Sequence, residues 1–497
     1  MKGETNKSSS LLKNLMFSMA ILLLIMPGLQ QKLRWVHEPD LTGAYKASPE
    51  PGLDEFSTSS WLDGSFQETF SNRLEQHIGF RNTLVRINNQ VDYSLYHQAH
   101  AEGVIVGLKG ELFEEDYLKE YTGLYFVGDS VWKNKAIQLK AVQDTLSKLG
   151  KTLIVIFEPG KGSFYPERMP RKYSALQKSE SNYDCMRRYL LQNKVNVLDL
   201  NQYFISIKDH AKFPVFPKGG THWSYYGAAL AADTTLKYIE NLRKTDLPDM
   251  EIANLKASDS IRHPDYDIGL AMNLLFRIPQ PGLANPVINF SNRLTKTRPD
   301  VLIAGDSFYF NWLNNRIPAN AFNTCDFWYY NKNITRSDGS EAGSATQRNF
   351  KDEILKRDII IIMITERFHH AFAWRFDEQI YDLFFPGQIH PVDHFANQIR
   401  SFGNEFVRMY DESKKLNISL EQRINQEAGY LFYADHKKNP GKYTRKNELL
   451  MLYEMGIEGT PDWLEKVKQK AEKNGRSLKT QLRMEAEWMY NEKHKNQ

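Results

Sequence analysis

Residues 359–364 read Ile-Ile-Ile-Ile-Met-Ile. A strand points alternate side chains to opposite faces, so a run with no polar position has no side to offer to water. Such a strand belongs inside a sheet covered on both faces. Leu153-Ile154-Val155-Ile156-Phe157 and Val301-Leu302-Ile303-Ala304 have the same character, and Val195-Asn196-Val197-Leu198 is a more polar relative. Between them lie segments with helical apolar spacing, at 131–149 (Ile137, Leu139, Val142, Leu146, Leu149), 181–193 and 224–243, where Ser224 is the N-cap. Strands alternating with amphipathic helices predict an α/β domain built on a parallel sheet flanked by helices.

The N-terminus reads differently. Residues 1–13 are polar and carry Lys2, Lys7 and Lys13, and an apolar run follows from Leu15 to Leu29. The run approaches the roughly 17–20 residues that span a bilayer. Its positive flank predicts a cytoplasmic tail over 1–13, a single transmembrane anchor over 14–31 and everything later outside the cytoplasm. No small-residue cleavage site follows in Gln30-Gln31-Lys32-Leu33-Arg34-Trp35, which favours an anchor over a cleaved signal. Pro39, Pro49, Pro51 and Ser57 to Ser60 mark residues 32–60 as a linker. A helical stretch then runs from Trp61 through Phe66, Phe70, Leu74, Phe80, Leu84 and Ile87, and residues 104–113 read as a hairpin turning at Lys109-Gly110.

The α/β pattern occupies 61–390. After it no strand signal remains, and helical segments at 394–414, 419–437, 445–456, 462–474 and 478–492 predict a small all-helical C-terminal module over 391–497. A net charge of +4 over 497 residues, with no basic run interleaved with aromatics, excludes a nucleic-acid binder. Cys185 and Cys325 allow one bridge or two buried thiols. No two histidines stand at ligand spacing with a third partner, so neither a metal nor another cofactor is expected.

The third apolar strand ends in Ala304-Gly305-Asp306-Ser307. Functional side chains of open α/β sheets gather at the carboxyl ends of strands, and a serine there presents its hydroxyl to a cleft. The helix expected to follow, from Phe308 to about Leu313, would aim backbone N–H groups and its dipole at an oxyanion. The hydroxyl needs a base, and Gly219-Gly220-Thr221-His222-Trp223-Ser224 offers His222 on a loop before a helix. His369-His370, after the isoleucine strand, is the rival.

With these blocks the chain resembles the SGNH-like alginate O-acetyltransferase family of periplasmic proteins (AlgX/AlgJ type), and more distantly the D-alanyl transfer proteins of teichoic-acid modification. The histidine block precedes the serine block, as in that family. Further similar segments are Phe80-Arg81, Gly107-Leu108-Lys109-Gly110-Glu111-Leu112-Phe113, Glu158-Pro159-Gly160-Lys161, Tyr165-Pro166-Glu167, Phe327-Trp328-Tyr329-Tyr330-Asn331 and Thr365-Glu366-Arg367. The resemblance covers about residues 60–385. It implies an SGNH-hydrolase-like fold and a serine acyl-enzyme that passes an acetyl group to a polysaccharide hydroxyl. Ser307 would be the nucleophile and His222 the base. The resemblance also implies a multi-pass membrane-bound O-acyltransferase as acyl donor, and a single-pass inner-membrane protein with its catalytic domain in the periplasm. Trp223, Trp328, Tyr329 and Tyr330 are candidates to stack on sugar rings, and Lys161 to meet an acidic polymer.

The family carries an aspartate two residues before the histidine, where this chain has Gly220. Three readings follow. Another acid replaces it, with Asp306 carried as the third member and Asp199 and Glu366 as others; or serine and histidine act as a dyad; or the chain is a non-catalytic accessory protein. An esterase or deacetylase of the same fold is the further alternative to a transferase.

Overall fold

The structure is a computed structural model and describes residues 4–43, 56–258, 261–280 and 282–495. Its N-terminal part is helical: α1 (Glu4–Leu33), α2 (Ser65–His77) and α3 (Arg81–Tyr96). Within α1, Ser10–Leu33 is long and apolar enough to cross a membrane, with a mean hydropathy of 1.8 over an 18-residue stretch that is not buried in the protein, while Gln30 near its end is buried. The helical stretch expected from Trp61 to Ile87 is broken at Ile78–Phe80. There Gly79 lies against the last turns of α1, where a Cβ would collide with the backbone of Pro27 and Gln31.

A hairpin of β1 (Val104–Val106) and β2 (Leu112–Glu114) leads into the α/β domain. Its sheet has seven strands: β3 (Thr152–Glu158), β4 (Val197–Asp199), β5 (Asp300–Gly305), β6 (Thr324–Tyr329), β7 (Asn333–Arg336), β8 (Glu341–Ser344) and β9 (Ile359–Thr365). Their order is β8-β7-β6-β5-β9-β3-β4. The five from β6 to β4 are parallel, and β7 and β8 add an antiparallel edge. That edge was not expected, because its strands are short and polar.

The isoleucine strand β9 lies between β5 and β3 and divides its side chains between two cores. Ile360, Ile362 and Ile364 pack with Leu153, Val155 and Phe157 of β3 against α4 (Asp129–Lys148) and α5 (Asn182–Gln192). Ile359, Ile361 and Met363 pack with Ile154 and Ile156 against α6 (Tyr225–Arg243) and the aromatic residues around it. Ser224 caps α6 by accepting from the Gly227 N–H at 3.1 Å, a contact worth about 1 kcal/mol. Cys185 belongs to the first core and Cys325 to the second, so the sheet separates two free, buried thiols.

Two short helices complete the site, α7 (Asp267–Ala271) and α8 (Tyr309–Asn314). The C-terminal helices are α9 (Pro391–Ser401), α10 (Gly403–Leu416), α11 (Leu420–Lys438), α12 (Lys446–Glu458), α13 (Pro461–Lys473) and α14 (Leu478–Lys493). The single helix expected at 394–414 is two, hinged at Phe402. Packing does not break at residue 390: Ile399, Phe406, Ile424 and Phe432 lie in the same core as Ile360 and Ile362.

The stretch 36–43, expected to be linker, is a strap bound along α3. Glu38 accepts from the backbone and hydroxyl of Thr83 at 2.8 and 2.6 Å, and Arg86 donates to the carbonyl of Asp40 at 2.7 Å. The Thr42 N–H then donates to Asn273 at 2.8 Å, just beyond α7. The remaining linker residues through 55 lie outside the described residues.

Candidate active site

β5 ends at Gly305, beside the end of β9, where a Cβ would press on the Met363 carbonyl at 2.8 Å. The chain turns through Asp306 and Ser307 into α8, and Ser307 is partly exposed. From the loop before α6, His222 reaches it with Nε2 2.7 Å from Ser307 Oγ. On the other side of the ring, Nδ1 lies 2.7 Å from Asp267 Oδ2. A carboxylate can only accept, so Nδ1 carries the proton and Nε2 is left to accept from the serine hydroxyl.

Asp267 is the residue that sequence reasoning missed. It opens α7, and its second oxygen accepts from the backbone N–H groups of Thr221 and Ile268, each at 2.8 Å. One carboxylate thus holds both the histidine ring and the loop that carries it. Burial alone would raise its pKa, but the hydrogen bond and charge of His222, with the two backbone donors, outweigh this and hold it below the ordinary carboxylate range. Its only local signal was the turn His263-Pro264-Asp265-Tyr266-Asp267, in which nothing distinguishes it from Asp265. Gly220 could not have served instead, because a Cβ there would meet Pro217 at 2.7 Å and the Asp265 carbonyl at 2.9 Å.

The other acids are spent elsewhere. Asp306 does not face the imidazole: it accepts from the Phe308 N–H at 3.1 Å and from the backbone and hydroxyl of Thr365 at 2.9 and 2.8 Å, tying the end of β5 to the end of β9. Beside it Glu158 is fully buried, and burial and the Asp306 charge push its carboxyl well above the usual range. Asp199 takes the Tyr183 hydroxyl and Arg187, and caps the following helix. Glu366 accepts from the Ser163 N–H at 3.1 Å, with its pKa pushed up to about 8 by burial.

Three of the expected sugar contacts are corrected. Lys161 is fully buried. Its ammonium lies 2.6 Å from Glu111 and donates to the carbonyls of Leu112, Pro217 and Gly220 at 2.9, 2.9 and 3.0 Å. It fastens the His222 loop to β2 and meets no polymer. Trp223 is also fully buried, stacked on Trp312 at 5.8 Å, and donates its indole N–H to the Phe308 carbonyl. Trp328 points into the opposite core, against Phe350 and Phe376. Tyr329 and Tyr330 are partly exposed, stacked at 4.0 Å, and Tyr330 donates its N–H to the Gly305 carbonyl at 2.9 Å. They stand beside the serine turn.

Arg367 forms an ion pair with Glu114, which also accepts from the Thr221 hydroxyl. These residues place a cation near the loop that carries His222. The rival histidines serve packing: His370 lies 2.9 Å from Glu120 and stacks on Phe406 at 3.8 Å, and His369 stacks on Tyr183. Burial pushes both imidazoles down to about 3. Asp129, Glu180 and Cys185 approach one another closely enough to suggest a metal cluster, but Arg188 binds both carboxylates.

Residues 104–265 match the family described as the SGNH hydrolase-like domain of the acetyltransferase AlgX. The matched span includes His222 and stops before Asp267 and Ser307. The probable alginate O-acetylase AlgJ of Pseudomonas aeruginosa is 24% identical over 233 residues, which cover 46% of this chain and 57% of that relative. The chain therefore spans little more than half the length of this curated relative. Among solved structures, the O-acetyltransferase domain of Pseudomonas putida AlgJ is 17% identical, with 56% of this chain and 99% of that chain covered and a TM-score of 0.38. AlgX of Pseudomonas aeruginosa is 13% identical, with 56% and 66% covered and a TM-score of 0.38.

Proposed function

From the premise that residues 104–265 carry the SGNH hydrolase-like domain of the AlgX family, we propose that the chain is an extracytoplasmic O-acetyltransferase. It moves an acetyl group onto hydroxyls of a cell-surface or secreted polysaccharide. The observation that carries this is the hydrogen-bonded relay from Asp267 through His222 to Ser307, with both contacts at 2.7 Å.

His222 Nε2 takes the Ser307 proton as Oγ attacks the acetyl carbonyl, and the Ser307 backbone N–H meets the developing oxyanion. The protonated ring gives that proton to the departing donor group, leaving acetyl-Ser307. A sugar hydroxyl then loses its proton to Nε2 and attacks the ester. When the intermediate collapses, the proton returns to Ser307 Oγ. Asp267 keeps the ring in the required tautomer and stabilises its charged form. Tyr329 and Tyr330 offer a stacking surface for the sugar. A multi-pass membrane-bound O-acyltransferase supplies the acyl group, and α1 holds the chain in the inner membrane with the domain on the periplasmic side. Asp267 beside His222 Nδ1 stands in for the acid missing at Gly220, which supports a catalytic over an accessory role.

The test is acetyl transfer from an activated acetyl ester to an oligosaccharide acceptor by the full-length chain in detergent. Ser307→Ala and His222→Ala are each expected to abolish acceptor acetylation. Transfer at wild-type level by Ser307→Ala refutes the catalytic reading, and release of free acetate with an unmodified acceptor makes the protein an esterase.

A further inference from the structure

Helix α3 is inside out with respect to the domain it packs on. Its inward side is polar apart from Tyr93, which packs on the cluster of Val104, Val106 and Leu112: Asn89 donates to the Met272 carbonyl at 3.0 Å, Gln90 accepts from the Phe276 N–H at 3.0 Å, and Arg86 holds the strap. Its outward side is an apolar stripe of Leu84, Ile87, Val91 and Leu95, 43–68% exposed. At 3.6 residues per turn the stripe falls on one side of the helix, opposite Asn89 and Arg86, with Gln90 at its flank. An ordinary surface helix has the reverse arrangement, so something apolar covers this side.

The structure indicates what that is. Gly79, just before α3, touches α1 between Pro27 and Gln31. At 1.5 Å per residue these contacts lie about 3–9 Å short of the outer end of α1 at Leu33. An amphipathic helix in a bilayer surface buries its apolar side about 5–10 Å into the headgroup and acyl boundary. Beside the stripe, a groove of about 790 Å³ between α2 and α3 has a mixed lining, with Leu74, Ile78, Leu84 and Val85 among polar residues that include Asn72 and Glu75.

We propose that α3 lies in the outer face of the bilayer beside α1, with its apolar stripe in lipid. The domain is then held by its strap and by Asn89 and Gln90 at a fixed height over the membrane. This rests on the membrane reading of α1 and is independent of the acyl-transfer chemistry.

The experiment places single cysteines at Leu84, Val91 and Leu95 of the full-length chain, with Cys185 and Cys325 left buried. Each is labelled with an environment-sensitive dye, and the protein is reconstituted in nanodiscs whose lipids carry nitroxide quenchers. Leu22→Cys in α1 and the fully exposed Leu294→Cys are the references. The stripe positions are expected to be blue-shifted and quenched several-fold, like Leu22 and unlike Leu294. If Leu22 is quenched and the stripe is not, the anchor stands and the proposal fails. If neither is quenched, both fail. A stripe shielded from aqueous quencher yet untouched by the lipid nitroxides overturns the proposal in favour of a protein partner.

Discussion

Asp267 carries two jobs with two oxygens, and its replacements separate them. Asp267→Asn preserves the shape but can no longer only accept, so the wrong imidazole tautomer becomes accessible. Acetyl transfer is expected to fall by about 10⁴ in kcat, by analogy with the serine-protease triad, while the melting temperature changes little. Gly220→Asp, which restores the acid where the family has it, is expected to give no gain in rate. It should also cost about 1–3 kcal/mol of stability in denaturant titrations, because Pro217 and the Asp265 backbone leave no room. Asp265 is fully buried, and burial together with the Asp267 charge pushes its carboxyl up to about 7. Its folded pKa is therefore raised above the ordinary value near 3.9. It contributes stability that is complete below about pH 4 and is lost as pH rises to about 7. Asp265→Asn should remove that slope, so the melting temperature of the variant is expected to gain on the wild type between pH 4 and 7. His222 and Ser307 were legible because each sits in a short motif at the edge of a periodic segment. Asp267 was not, since one acid among many is selected only by where an irregular segment lands.

The strands were legible for a related reason. A run such as 359–364 has one physical solution, and β9 adopts it with alternate side chains in two cores. The edge strands β7 and β8 are short and mixed in polarity, and their pairing depends on a neighbouring strand that no local pattern reveals. Lys161 shows the limit most plainly. A lysine in a Gly-Lys-Gly turn reads as a solvated cation, yet burial lowers its pKa against the pull of Glu111 and the ammonium lies among backbone carbonyls. Removing it leaves Glu111 buried without that partner. Lys161→Met is expected to cost about 3–5 kcal/mol in denaturant titrations, and to loosen the His222 loop so that kcat falls as well.

The molecule as a whole is less divided than its composition suggests. Helices α9 to α11 cover the sheet face formed by Ile360 and Ile362, so a chain ending at residue 390 is expected to expose that core and be recovered only as aggregate. One ending at residue 459 keeps α9 to α12 and is expected to melt cooperatively, with only the small cluster around Val467 and Leu482 lost. Light scattering and thermal melts of the two truncations check this. The boundary at 390 was legible as a change of pattern, but its meaning in packing was not. The strap has a consequence in time. The three groups of the relay leave the ribosome in the order His222, Asp267, Ser307, and the segment bearing the acid is tied back to Thr42 through Asn273. A nascent chain therefore has a histidine long before it has a serine to activate. The relay is incomplete until synthesis has passed residue 307 and both ends of the strap have met.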